Sequence, residues 1–349
     1  PYQSFGVQVA YSWHNQKNNF GLRPYNIKHH SAYLSLLYNS IISDTRHKIK
    51  FGFNGTYDRY FEDLSFDSLG INLMRYNRTE RGLGLLTEYT YDDLDKLGLT
   101  IGLRVDHQNL LGTFVTPRLH AKYQLWPKTT LRGSLGRGKR IPNIFTENLG
   151  IFATGREIVI DNTLDSQGQN LEAPNGNFYG LNPEIAWNYG LSLQHKLNLG
   201  ARELILGFDY YRTDFIEQVV VDLEQVGLVR YYNNNGGSRS QSYQLDATYR
   251  PWGLIDLRLA YKYYNLSTAF ESGNKQPILT PNHRVFGNLS YELEGRRPDH
   301  PWNIDFTINW LGEQRLPKLP IEANLFAPLI NIPVAAANVS TLFTTVGFL

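Results

Sequence analysis

The sequence predicts an all-β protein, a transmembrane antiparallel β-barrel. Three observations carry this: hydropathy alternates with period two from end to end, helical periodicity is nearly absent, and short connections alternate with long ones. The alternation is plainest over 183–199. Ile185, Trp187, Tyr189, Leu191, Leu193, Leu197 and Leu199 share one face with His195, while Glu184, Ala186, Asn188, Gly190, Ser192, Gln194, Lys196 and Asn198 share the other. Successive side chains of a strand point to opposite faces, so this segment separates two environments.

The same division recurs in order along the chain. Phe5, Val7, Val9, Tyr11 and Trp13 oppose Ser4, Gly6, Gln8, Ala10 and Ser12. Leu97, Leu99, Ile101, Leu103 and Val105 oppose Gly98, Thr100, Gly102, Arg104 and Asp106. Leu257, Leu259, Tyr261 and Tyr263 oppose Asp256, Arg258, Ala260 and Lys262, and Ile304, Phe306, Ile308 and Trp310 oppose Asn303, Asp305, Thr307 and Asn309. About thirteen such segments are present, most near the ten or so residues with which a tilted strand crosses a bilayer. Short turns are expected at 43–46, 92–95, 126–128, 198–201 and 250–253. Longer polar loops are expected at 15–27, 62–78, 143–182, 214–240 and 265–282. Short turns at one rim and long loops at the other are the layout of an outer-membrane barrel.

Composition agrees. The 349 residues are 42% hydrophobic and 13% aromatic, with 23 Tyr, 18 Phe and 6 Trp, a balance unlike that of a disordered chain. No run of about 18 uncharged apolar residues suggests a membrane helix. A formal net charge of +2 gives no reason to expect a nucleic-acid partner, and zero Cys excludes disulfides and thiolate metal sites. A soluble β-sandwich is the competing architecture. Its outer face could carry Lys and Glu freely, whereas here the polar face is rich in Gly, Ser, Asn, Thr and Gln. Tyr and Trp also cluster near strand ends on the apolar face, at Tyr11 and Trp13, Tyr89 and Tyr91, Trp187 and Tyr189, Tyr261 and Tyr263, and Trp310. Such rings mark the two membrane interfaces. In hydrocarbon every backbone polar group must be paired, so strands there form a barrel.

After Pro317 the pattern decays. Pro317, Pro320, Pro328 and Pro333 exclude a central strand or a spanning helix between them. Residues 1–317 are therefore read as barrel and 318–349 as an irregular tail, in which 339–349 could begin one more strand. The chain opens at Pro1-Tyr2-Gln3 without a leader and is read as a mature piece or a fragment.

Local phrases add specificity. They are Thr116-Pro117-Arg118-Leu119; Leu131 to Pro142 with Gly136-Arg137-Gly138-Lys139-Arg140; Asn143-Ile144-Phe145-Thr146-Glu147-Asn148; Asn182-Pro183-Glu184 followed by Trp187-Asn188-Tyr189-Gly190; Phe208 to Phe215; and Gln314-Arg315-Leu316-Pro317. In this order, over roughly residues 1–317, they resemble the barrel of TonB-dependent outer-membrane receptors, particularly the Bacteroidetes type. The resemblance implies a barrel of about 22 strands, an N-terminal plug inside it, and nutrient uptake powered through the TonB complex, in the outer membrane of a Gram-negative bacterium. In that frame the chain holds about 13–14 middle strands, with the plug, the TonB-contacting segment, the first strands and the last strands outside it. The implied cargo is a metal chelate, a vitamin or a glycan, with a ferric siderophore favoured by family usage. No catalytic residue, resident metal or cofactor is implied.

The residues suggest where such a cargo would meet the chain. Segment 143–182 is the longest connection and mixes rings with polar groups: Phe145, Glu147, Phe152, Arg156, Asn175, Asn177, Phe178 and Tyr179. Aromatics beside Asn and Arg suit a polar, flat or glycan-like molecule. The loop 229–241, with Tyr231, Tyr232 and Arg239, is second and reads as a mobile polar gate. Arg118, Arg132, Arg140, Glu184, Asn188 and Asp246 are expected to face the lumen or a plug, with Glu184 and Asp246 as partners for buried cations. The nine His read as solvated loop residues. A passive porin-like channel and a barrel enzyme remain alternatives. Gly136-Arg137-Gly138 lies within a strand and lacks the helix a phosphate loop needs, and no Gly-x-Ser-x-Gly elbow occurs.

Overall fold

The computed structural model describes residues 3–66, 70, 73–161, 179–234, 236–293 and 302–316, together with the backbone of 341–348. Its strands are β1 (Gln3–Phe20), β2 (Arg23–Ile41), β3 (His47–Ser65), β4 (Leu73–Asp92), β5 (Leu97–Gln108), β6 (Gly112–Trp126), β7 (Thr129–Arg140), β8 (Glu157–Ile160), β9 (Glu184–Leu199), β10 (Arg202–Asp222), β11 (Leu228–Asn234), β12 (Arg239–Trp252), β13 (Ile255–Phe270), β14 (Gly273–Lys275), β15 (His283–Leu293), β16 (Trp302–Leu311) and β17 (Thr341–Phe348). Strands β8, β11 and β14 are short additions at one rim. The other fourteen form a single antiparallel meander in which each strand pairs with the next, from β1–β2 to β16–β17.

The register aligns the apolar stripes. One row runs Val7, Leu36, Phe53, Leu85, Val105 and Val115 across β1 to β6. A second runs Leu131, Leu193, Phe208, Leu245 and Tyr261 across β7 to β13. These rows face outward: Val7 is 59% exposed, Leu85 63% and Leu245 55%. A dry sandwich would have closed over them, so the apolar face is the lipid face. The opposite face carries Lys50, Glu88, Gly102, Arg118, Gly136, Asn188 and Thr213 in one row and lines the bore.

Two aromatic belts bound the lipid face. Tyr89, Tyr91, Trp126, Trp252 and Trp302 lie beside the short turns. On the far side Tyr210, Tyr243 and Tyr263 are register neighbours with His283, and Tyr11, Trp13 and Tyr57 continue the belt over β1–β3. Tyr11 and Trp13 are therefore not at a strand end. Strands β1 to β4 run 18, 19, 19 and 20 residues and β10 runs 21, well beyond what a bilayer requires. The expected loop at 15–27 is instead a hairpin tip turned by Gly21 and Leu22, with Gly21 at φ +63°. The expected loop at 62–78 narrows to the connection between Ser65 and Leu73. Beyond the belt the outward face turns polar while the inward face carries Tyr25, Ile27 and Leu64 beside Arg23 and Glu62, which removes the apolar-outward contrast while the hydrogen-bond ladder continues.

The histidines also differ from the expectation of solvated loops. His30, His47 and His283 sit within strands and hydrogen-bond the phenols of Tyr11 at 3.0 Å, Tyr89 at 2.6 Å and Tyr261 at 2.7 Å. His195 pairs with Thr129 at 2.6 Å, and His29 with Asp58 at 2.9 Å. His300 lies outside the described residues.

Candidate ligand site at the loop-rich rim

The one continuous core of the described residues lies outside the membrane, where the extended strand tips meet the segment after β7. Tyr25, Ile27 and Leu64 from β2 and β3 pack with Ile144, Phe145 and Phe152, with Ile158 and Ile160 of β8, and with Tyr179, Leu181, Val219, Val229 and Tyr231. The segment after Arg140 forms a 3-10 helix (Thr146–Ala153) and then β8, which pairs in parallel with β11. It thereby ties the tips of β2–β4 to those of β10 and β11. We call this assembly the cap.

Each ring has a defined contact. Phe145 meets Tyr179 edge-to-face at 4.6 Å and Tyr231 at 6.2 Å, and Phe152 stacks on Tyr25 at 5.4 Å. Phe145 and Tyr231 are 0% exposed. Four of the candidate rings, Phe145, Phe152, Tyr179 and Tyr231, thus form the interior of the cap and present no surface. Tyr232 is buried too, donating to Asp222 at 2.9 Å and accepting from the Glu271 amide at 3.1 Å. The 229–241 loop is accordingly built largely as strand: β11 occupies Leu228–Asn234 and β12 begins at Arg239. Arg156 donates to the Leu223 carbonyl at 2.9 Å. Arg239 is exposed at register positions opposite Asp214 and Ser267, on the outward side of β12. Asn175, Asn177 and Phe178 lie outside the described residues.

Beneath the rings lies a charged network the sequence reading missed. Glu62, 2% exposed, accepts from Tyr25 at 2.8 Å and from the Tyr179 hydroxyl. Arg78 stands 3.6 Å from Glu62, bonds Glu80 at 2.6 Å and Asn143, and lies 4.2 Å over the Tyr60 ring. Burial pushes the Tyr179 and Tyr25 hydroxyls far above the usual phenol range, and the Glu62 carboxylate adds to the effect. Both therefore remain donors. Arg23, 1% exposed, binds the Thr154 carbonyl at 2.7 Å and that of Arg156. The polar alternation of β3 and β4 could have revealed these groups, since Tyr60 and Glu62 keep step with Asn54, and Arg78 and Glu80 with Glu88.

The lumen candidates all fall on the bore face. Arg118 is paired with Glu88, which Lys50 also reaches at 2.9 Å. Arg140 bridges Glu184 at 2.6 Å and Glu147 at 2.9 Å, joining the bore to the cap. Asn188 accepts from Thr213 at 2.8 Å. Arg132 is exposed between Lys122 and Ser192, and the Asp246 carboxylate folds over Gly207. Below the cap the same face opens a cavity of about 240 Å³ whose lining includes Asn54, Arg104, Asp106, Gln108, Phe114 and Arg140. It can hold a polar group against guanidinium and amide donors. Among the described residues this cavity brings together no nucleophile–base pair.

An outward apolar stripe between two aromatic belts, a polar bore and a folded cap define an outer-membrane β-barrel protein of the receptor kind. Residues 2–328 match the family described as TonB dependent receptor-like, beta-barrel, and the chain belongs to that family. It lies in the outer membrane of a Gram-negative bacterium, in a family of transporters rather than enzymes. The iron-regulated outer membrane virulence protein of Vibrio cholerae is 25% identical over 285 residues, 78% of this chain and 39% of that protein. The ferric enterobactin receptor of Pseudomonas aeruginosa is 24% identical over 241 residues, 62% of this chain and 29% of that one. The chain thus spans well under half the length of these relatives. Among solved structures, the siderophore receptor PirA from Acinetobacter baumannii aligns at TM-score 0.59 and 15% identity over 99% of this chain and 56% of that one. The copper transporter OprC aligns at 0.62 and 14%, over 90% and 49%. The Bacteroidetes-type affinity finds no support among these relatives.

Proposed function

We propose that the chain is the barrel portion of an active-transport receptor that binds a ferric siderophore or another metal chelate on its extracellular side and imports it with energy supplied through the TonB complex. The observation that carries this reading is the cap: a folded, charge-clamped structure that ties β2–β4 to β10–β11 above a bore lined by Arg104, Arg118 and Arg140. A passive channel has no need of so large an ordered structure at its mouth. The names of the related proteins, which concern iron and siderophores, favour a chelate over a vitamin or glycan.

In this reading the cap and the bore arginines do the binding and no covalent chemistry occurs. Ion pairs such as Arg140–Glu184 hold the guanidinium groups in place, so an anionic chelate meets fixed donors instead of mobile side chains. The test is uptake of a radiolabelled ferric chelate by cells carrying the complete gene, with and without TonB. Saturable uptake that disappears without TonB is expected. Uptake that persists without TonB would establish the passive channel. Removal of residues 150–178 should abolish chelate binding while leaving a heat-resistant barrel, and unchanged binding would take that segment out of the site.

A further inference from the structure

We propose that the barrel wall carries a side port between β6 and β7, through which an acylated metal chelate keeps its hydrocarbon tail in the outer leaflet while its anionic head lies in the bore. The inference rests on the chelate reading above and adds the chemical class of the cargo. The ladder between these two strands runs from Trp126 opposite Thr129 up to Arg118 opposite Gly136, and stops. Both neighbouring ladders continue past that level, β5–β6 to Gln108 opposite Gly112 and β7–β9 to Arg140 opposite Glu184. Among the described residues no backbone pairing joins 113–117 to 137–140. Pro117, which lacks an N–H, stands where the pairing ends. Gly136 and Gly138 leave the β7 side of the gap without side chains. A Cβ at Gly138 would meet nothing within 4 Å, and one at Gly136 would come no nearer than 3.7 Å, to the Pro117 carbonyl.

The gap joins two surroundings. A cavity of about 440 Å³ occupies it, lined on the bore side by Arg104, Asp106, Phe114 and Arg118 and in the wall by Pro117 and Gly138. It shares Arg104, Asp106, Phe114 and Lys139 with the cavity below the cap. On the outer side Leu103 and Val115 are exposed, and Val115 belongs to the apolar row that meets acyl chains. Backbone beside hydrocarbon is ordinarily fully paired, and an open stretch is tolerated where it lines a cavity. Lys139 crosses the gap. Its register partner is Ile185, on the outward face with Trp187, yet its ammonium donates to the Leu111 carbonyl at 2.9 Å and lies 5.2 Å over the Phe114 ring. Among the described residues this cation has no carboxylate within ion-pair distance, so an anionic head can replace the carbonyl. A chelate without a tail enters by the mouth of the barrel and needs no interruption of the wall. An apolar outer lip joined to a cationic inner chamber fits a molecule with both parts.

The test measures binding of ferric tris-catecholate and tris-hydroxamate complexes, each with and without a dodecanoyl chain, to the complete receptor in lipid nanodiscs. Gly138→Trp fills the gap. It should weaken binding of the acylated complex about tenfold and leave the plain complex within about twofold, because partition of the tail into the bilayer is common to both proteins and cancels. Gly133→Trp serves as the control. It lies outward on β7 where the ladder is closed opposite Ala121, a Cβ there meets nothing within 4 Å, and it should change neither affinity. Heat-modifiability on a gel verifies that each variant is folded, and Gly138→Leu repeats the measurement should Gly138→Trp fail to fold. A folded variant at residue 138 that keeps the wild-type preference for the acylated complex, or that loses both complexes alike, would overturn the port and leave the chelate reading in place. Binding of none of these complexes to the wild-type receptor would strike that reading, and the port with it.

Discussion

Arg118 on β6 forms an ion pair with Glu88 on β4, two strands away, by lying across the intervening β5 at Gly102. A Cβ at residue 102 would stand 2.6 Å from Arg118 Nε and 2.7 Å from its Cγ. The glycine is thus a passage for another side chain. Gly102→Val should displace Arg118 and break the pair. Because Arg118 is half exposed, the loss in stability should be small, below about 1 kcal/mol. A double-mutant cycle of Gly102→Val with Glu88→Gln, followed by urea unfolding in micelles, checks this. Additive effects would show that the pair does not depend on the glycine.

The lipid and bore faces should respond unequally to the same charge. Leu193 lies in the row between Leu131 and Phe208 at mid-membrane, and Leu193→Arg should cost roughly 2–4 kcal/mol. Asn188→Arg, beside Gly136 and facing the bore, should cost less than about 1 kcal/mol because the bore is polar. Folding titrations into lipid vesicles measure both, and equal costs would contradict the assignment of faces.

The cap should depend on Glu62. Glu62→Ala leaves Arg78 buried with one carboxylate partner and removes the acceptor of Tyr25 and Tyr179. Breaking a buried ion pair in this way costs about 3–5 kcal/mol. Hydrogen exchange over residues 144–160 should accelerate greatly while exchange in β5 and β6 stays slow. Unchanged protection of 144–160 would mean that the aromatic core alone holds the cap.

Glu224 provides a pH dependence. Burial alone would raise its carboxyl pKa, but Lys275 at 2.8 Å and Arg315 at 2.5 Å outweigh that and bring it below the ordinary glutamate value. A carboxylate with a depressed folded pKa contributes stability above its unfolded pKa, near 4.3, and loses that contribution as pH falls through the lower folded value. The three loops joined here, around Asp222, Lys275 and Arg315, should therefore become sensitive to an acid-active protease below about pH 4. Glu224→Gln should be equally cleavable at pH 7. A variant that resists cleavage at neutral pH would remove this clamp from the account.

Much of the fold was legible because the membrane imposes hydrophobic contrast across every strand within its depth. Leu191, Leu193, Leu257 and Leu259 announced the lipid face directly. Contrast fails beyond the headgroups, so Asn15, Lys17, Asn26 and Lys28 read as loop although the ladder continues through them. The bore-facing positions follow from the same alternation as the strands, and Arg140 stands 2.6 Å from Glu184. The cap was not legible. Phe145, Tyr179 and Tyr231 are far apart in sequence and meet only through a tertiary core, so their composition suggested exposed rings. Glu62 and Arg78 went unnoticed because a presumed loop carries no facing.

The hairpins that stand above the bilayer are a single peptide layer in thickness. Arg59 points toward the leaflet while its neighbour Tyr60 supports Arg78 within the cap, and Asn77 and Arg78 divide the same way. Adjacent residues along one backbone therefore report on two different surroundings. A substitution on the outward side of these hairpins should consequently register as altered order on the cap's inner side, because one backbone carries both.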